Sequence, residues 1–148
     1  MQVIHAEAVK MNVVSVLVVD AFNAWKDFVT THLSTQLDMH ILGAASTGSE
    51  AVQKTLELQP DLVLLEISLP ELNGIEAARQ ILRHLPQTKL LFLSCNSDPE
   101  VVREAFAVGG YGYVFKLDAA MELLAGVESV RRGRKFLSSS FADIRNLL

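Results

Sequence analysis

A doubly wound α/β domain, with a parallel sheet and helices on both faces, is the fold class that three features of this 148-residue sequence predict. Short apolar runs alternate with longer amphipathic ones along the chain, the pattern of strand-helix-strand crossovers. The short runs are continuously apolar rather than alternating, as strands covered on both faces must be. Acids, a hydroxyl and a lysine recur where those runs end, on the side of an open α/β sheet where ligands bind.

Each element follows from its residues. Val13–Asp20 (VVSVLVVD) is β-branched and almost wholly apolar, a buried strand. Trp25, Phe28, Val29, His32 and Leu33 then recur at helical spacing. A short run, Met39–Ala45, and a helical stretch, Ser49–Leu58, come next, followed by a second buried run, Leu62–Ile67 (LVLLEI). The loop Ser68–Gly74 leads into a helix to about Leu85, and Lys89–Ser94 (KLLFLS) is another strand. A helix from about Pro99 to Val108, a short strand Tyr111–Phe115 and a helix Ala119–Arg132 complete the alternation. The expected division is an N-terminal extension (1–12), one domain (13–135), and a C-terminal helix or linker start (136–148).

Composition narrows the class of function. Half the residues are hydrophobic (50%) and 20% are charged, ordinary for a compact domain. A formal charge of −4 repels phosphates at long range and argues against a stand-alone nucleic-acid binder. A lone cysteine, Cys95, allows no internal disulfide, and no apolar run approaches the roughly 18 residues of a membrane span. Met1–Lys10 lacks the apolar core of a signal peptide. The expected location is the cytoplasm, with no membrane contact.

Asp20, Glu66, Ser94 and Lys116 stand at or just beyond the strand ends. Two carboxylates suit a hard cation such as Mg²⁺, while a lysine and a hydroxyl suit phosphate oxygens. Singly, each has a simpler role, since an acid closing a strand often caps a turn. Their convergence on one sheet edge is what makes them candidates.

The segments VLVVDAF, PDLVLLEISLPELNG, LLFLS and GGYGYVFK together resemble the receiver domain of bacterial two-component response regulators across nearly the whole chain. Glu66, then Pro70, then Gly74 is similar to the family's acceptor-strand signature. The resemblance implies a flavodoxin-like (CheY-like) sandwich of five parallel strands in the order 2-1-3-4-5. It implies Glu66 at the phosphoacceptor position, Mg²⁺ held by Asp20, Glu66 and the Ser68 carbonyl, Ser94 as switch hydroxyl, Tyr113 as switch aromatic and Lys116 as phosphate-binding lysine. The implied partners are a sensor histidine kinase, and a protein or second copy docking through about Pro99–Arg132. There Val101, Val102, Phe106, Tyr111 and Tyr113 offer apolar contacts. The tail Arg131–Leu148 resembles receivers that continue into a helix-turn-helix domain, so DNA binding by this segment itself is not expected.

Two departures bear on the chemistry. The acceptor position holds Glu66 where the family has aspartate, and the second position of the acidic pair is Ala21. Losing one ligand charge weakens a hard-cation site. The extra methylene moves the carboxylate about 1.5 Å outward, and a 1 Å misplacement can cost about 10²-fold in transfer. The expected function is therefore a degenerate receiver that signals through protein contacts without turnover. The alternative is a phosphorylation-competent receiver with Mg²⁺. Within the first reading, Glu66 either pairs with Lys116 and Ser94 to hold a phosphorylated-like state or merely fills space. A third reading, a small enzyme or cofactor binder, finds no phosphate-cradling glycine loop and no nucleophile-base pair.

Other residues take simpler expectations. Trp25 reads as a partly buried packing residue and optical probe, Cys95 as a small buried residue, and the four histidines as structural or exposed. Arg131, Arg132, Arg134 and Lys135 surround Gly133 at a helix C-terminus, where cations complement the dipole. Ser138–Leu148 has serine caps and then Phe141, Ile144, Leu147 and Leu148 at helical spacing. That stretch either packs on the domain, starts an interdomain helix, or pairs with a second subunit.

Overall fold

The computed structural model describes residues 12–147; the N-terminal extension expected over 1–12 lies outside it except for Asn12. Six parallel strands form one sheet: β1 (Val14–Val19), β2 (Met39–Ala45), β3 (Leu62–Leu65), β4 (Lys89–Ser94), β5 (Gly112–Phe115) and β6 (Phe136–Leu137). Their order is β2-β1-β3-β4-β5-β6. The expected order 2-1-3-4-5 is present, and the expected count of five is corrected to six. The sixth strand arises because Gly133, in the left-handed region at φ 78°, turns the chain out of the last helix. Phe136 N then donates to Tyr111 O and Ser138 N to Tyr113 O.

Among the described residues five α-helices cover the sheet: α1 (Asn23–Leu33), α2 (Gly48–Leu58), α3 (Gly74–His84), α4 (Pro99–Ala107) and α5 (Ala119–Arg131), with a 3-10 turn at Lys116–Asp118. Their starts are chemically marked. Thr47, Asn73 and Asp98 each accept a backbone N–H of the first turn of α2, α3 and α4, which satisfies one of the orphan donors there.

Strand alternation divides the core in two. Leu17, Val19, Val63, Leu65, Leu90, Phe92 and Tyr113 pack against Ala51, Ile75, Ala78, Ile81, Val102 and Ala105 of α2, α3 and α4. Val16, Val18, Leu62, Leu64, Leu91, Leu93 and Val114 pack against Val29 and Leu33 of α1 and Leu123, Val127 and Val130 of α5. Both faces of every central strand are therefore covered, which is why those runs are continuously apolar.

The C-terminal segment departs from a regular helix. After β6 the chain forms 3-10 turns over Ser139–Leu147, broken at Phe141. Phe141 is buried against the rings of Tyr113 and Phe115, so of the three placements open to this stretch it packs on the domain. Burying Phe141 on the edge of β5 demands a bend at that residue, and the bend is incompatible with a continuous α-helix. Among the described residues no helix is long and apolar enough to cross a membrane.

Candidate functional site

The site sits at the switch point of the sheet. From β1 the chain crosses to β2 on one side, then to β3 on the other, so the carboxyl ends of β1 and β3 flank the crevice where such sheets bind ligands. Asp20 follows β1 and Glu66 follows β3, at adjacent register because Val19 pairs with Leu65. Ser94 ends β4, and Lys116 follows β5.

Three of these four side chains converge. Lys116 Nζ lies 2.7 Å from Asp20 Oδ2 and 2.8 Å from Glu66 Oε1. All three residues are buried, at 4%, 4% and 5% exposure for Lys116, Asp20 and Glu66. The remaining carboxylate oxygens are also engaged. Asp20 Oδ1 accepts from Phe22 N at 3.0 Å, and Glu66 Oε2 accepts from Ile67 N at 2.5 Å and Ser68 N at 3.3 Å. Lys116 Nζ also lies 4.7 Å from the centre of the Trp25 ring, a cation–π contact. Buried charges are tolerated only when so paired.

Ser94 and Tyr113 form a second, neighbouring group. Ser94 Oγ accepts from Asn96 N at 3.1 Å, and the Tyr113 hydroxyl donates to Asn96 O at 2.7 Å. Of the two arrangements left open for Glu66, the side chain reaches Lys116, while the Ser94 hydroxyl accepts from Asn96 N. Ser68 stands at the rim of a cleft of about 360 Å³ shared with Phe22, Trp25, Glu66, Ser94, Cys95, Asn96 and Lys116. Ala21 brings no oxygen to it.

Several expectations need correcting. Cys95 is exposed at this rim, not buried, because it lies one residue past the end of β4. Val102 and Tyr113 are fully buried, so neither offers a surface contact within Pro99–Arg132; both point into the core between the sheet and α4. Trp25 is partly buried and packs against the core as read from sequence, and its ring also lies against the lysine. Its place five residues after Asp20, in the first turn of α1, was the available signal. Asn96, the shared partner of Ser94 and Tyr113, carried none.

Burial holds the Tyr113 hydroxyl well above the ordinary tyrosine range. Burial alone would push Lys116 down, but the hydrogen bonds and charges of Asp20 and Glu66 outweigh it and hold the ammonium above the usual lysine value. Both groups bind their proton more tightly when folded. Their contribution is complete below the unfolded values near pH 10 and is lost as pH rises through the folded ones. Denaturant titrations at successive pH values should therefore show stability falling above about pH 10, with a shallower fall for Tyr113→Phe.

A parallel sheet in the order 2-1-3-4-5, with acids after β1 and β3, a hydroxyl ending β4 and a lysine after β5, defines a receiver class. The chain belongs to the response regulator receiver domain family, whose model matches residues 16–128. It is 33% identical over 120 residues to the response regulator protein VraR of Staphylococcus aureus (strain NCTC 8325 / PS 47), an alignment covering 81% of this chain and 57% of that protein. The chain thus spans little more than half of that relative. Among solved structures, the response regulator domain of Thermotoga maritima CheB superposes with a TM-score of 0.75 at 30% identity, over 81% of this chain and 97% of that one. A LuxR-family two-component response regulator from Aurantimonas sp. SI85-9A1 matches with a TM-score of 0.85 at 24% identity, over 88% of this chain and 94% of that one. That last likeness is one of fold.

Proposed function

We propose that this receiver no longer takes a phosphoryl group from a sensor kinase and acts instead through protein contacts, regulating an output such as transcription. The observation that carries this reading is the Lys116 ammonium seated between Asp20 and Glu66. Receiver domains typically bind Mg²⁺ at the acceptor site, and the residues present here do not fit that ion. The site's two carboxylates are already bridged by one ammonium, Glu66 Oε2 is spent on backbone N–H groups, and Ala21 adds no side-chain ligand. Among the described residues no group of three or more His, Cys, Asp or Glu is arranged to hold a metal.

A dication would have to share these carboxylates with the buried Lys116 ammonium, and like charges at close range repel. The longer Glu66 side chain also carries its reactive oxygens away from where an aspartate would present them, and in-line transfer tolerates little displacement. Because Ser94 bonds to Asn96 and not to Glu66, the geometry supports a closed charge cluster more than a full stand-in for a phosphoryl group.

Intact mass after incubation with Mg²⁺ and a small phosphodonor tests the reading. The native chain should stay unmodified, while Ala21→Asp combined with Glu66→Asp should gain a phosphoryl group. Stoichiometric gain by the native chain would overturn the proposal.

A further inference from the structure

A cavity of about 310 Å³ opens at the other end of the sheet from the charge cluster, where β3 and β4 begin. That volume is at the small end of the range for ligand sites. Asp61 and Lys89 both line it. Lys89 N donates to Asp61 O at 3.1 Å, so the two residues stand side by side on neighbouring segments. Opposite charges so placed ordinarily pair, yet neither has an ion-pair partner among the described residues. Each side chain is drawn away from the other. Asp61 Oδ2 accepts from Ser15 N at 2.9 Å and from Ser15 Oγ at 3.0 Å, on β1. Lys89 Nζ lies 4.0 Å from the centre of the Tyr111 ring, beside β5. Because β1 and β5 flank the β3–β4 pair on opposite sides, the carboxylate and the ammonium are held apart while both border one cavity.

The rest of the wall mixes hydrogen-bonding groups with apolar ones. Thr88 is 5% exposed and lines the cavity, and no hydrogen bond among the described residues uses its hydroxyl. A polar group left so at a cavity wall is available to a ligand. Gln59 sits at φ 48°, a left-handed position where glycine is the usual helix-ending residue. Its side chain brings an amide to the wall instead. Arg131 also borders the cavity, but Asp38 and Glu128 hold its guanidinium, and the Asn12 carbonyl accepts from it at 2.7 Å. Among the described residues Lys89 is therefore the cation left to meet an anion at this wall, and Asp61 is the matching anion.

We propose that this cavity binds a small zwitterion of the α-amino acid class, its ammonium on Asp61 and its carboxylate on Lys89. A ligand bearing both charges satisfies both walls, whereas a lone cation or anion leaves one of them unmatched. The Thr88 hydroxyl and the Gln59 amide offer hydrogen bonds to the same head group, while Val14, Leu62 and Leu85 suit a short aliphatic side chain. The C-terminal ends of α2, α3 and α5 also border the cavity, and their partial negative charge favours the ammonium. The site is separate from the acceptor cluster and does not depend on whether Glu66 takes a phosphoryl group. It does reach the same strands. Asp61 and Lys89 stand where β3 and β4 start, and those strands lead to Glu66 and Ser94, so a ligand joining the two charges ties the strands together.

Scanning calorimetry of the full chain with each common α-amino acid at about 10 mM tests this, since a ligand that binds only the folded chain raises its unfolding midpoint. The expected result is a rise with amino acids of short aliphatic side chain. Titration calorimetry then compares the best of them with its α-hydroxy acid and its α-amino amide, each lacking one charge. Both should bind at least about tenfold more weakly, as loss of a hydrogen bond between charged groups implies. Lys89→Met and Asp61→Asn should each weaken binding of the free amino acid by a similar factor. Methionine keeps an unbranched stem over Tyr111 and asparagine keeps an oxygen for Ser15, so both variants are expected to fold. The singly charged analogues test the site on the native chain in any case. No rise with any amino acid would overturn the proposal. An analogue that binds as tightly as the free amino acid would overturn it in favour of a singly charged ligand, and binding unchanged in both variants in favour of another site.

Discussion

Replacing Lys116 by methionine should destabilise the domain by about 3–5 kcal/mol, the cost of leaving buried charge without its partner. Lys116 Nζ is the one cation within reach of both Asp20 Oδ2 and Glu66 Oε1 among the described residues, and its side chain is 2% exposed. Methionine matches the lysine stem in bulk, so the loss would be electrostatic and not a cavity effect. Adding Asp20→Asn and Glu66→Gln should recover most of the loss, because a neutral cluster has no uncompensated charge to bury. Urea unfolding followed by Trp25 fluorescence measures all three. A Lys116→Met variant within about 1 kcal/mol of the native chain would mean that water reaches the carboxylates and that the cluster is not closed.

The second large effect is expected at Gly74. A Cβ there would lie 2.0 Å from the Glu66 carbonyl oxygen and 2.9 Å from Ile67 Cα. Both are backbone atoms that cannot swing away. Gly74 N also donates to Ile67 O at 2.7 Å, so the start of α3 is pressed onto the strand end that carries Glu66. Gly74→Ala should cost about 3 kcal/mol or more, at or beyond the usual range for overpacking, and should displace Glu66 from Lys116. Thermal unfolding gives the first number, and the Trp25 emission, sensitive to the ammonium beside it, reports the second. Unchanged stability would show that α3 can move off β3 without penalty.

The Gly74 contact also explains why so much of the fold was legible. Strand and helix runs follow from apolar periodicity, which depends only on which faces are covered, and β2 and β4 fall on the expected residues. The Glu66–Pro70–Gly74 spacing encodes a close approach of backbone to backbone, so a motif in the sequence marks a contact in space. What stayed hidden depends on side chains from distant elements. The Asn96 bonds to Ser94 and Tyr113 join β4 to β5 through a loop, with no periodic signal. β6 is two residues long, too short for any pattern, and it forms because Gly133 reverses the chain beside an open strand. Phe141 kept helical spacing with Ile144, which suggested a helix, but its burial against Tyr113 and Phe115 decided its conformation. At the site the residue types were readable while the pairing was not. Whether Glu66 met Lys116, Ser94 or neither depended on where the extra methylene sent the carboxylate.

The two residues of β6 also govern what this protein can do when crowded. A sheet with two bare borders can be extended by the next molecule at one side and the next again at the other, the geometry by which strands polymerise into fibres. Here the border beside β5 is capped by the chain's own short continuation, β6. Tyr111 O and Tyr113 O accept from Phe136 N and Ser138 N, and Phe115 N donates to the Ser138 hydroxyl. The outer strand on that side is then only two residues long, so it offers a neighbouring molecule a far shorter docking edge than β2 does at the other border.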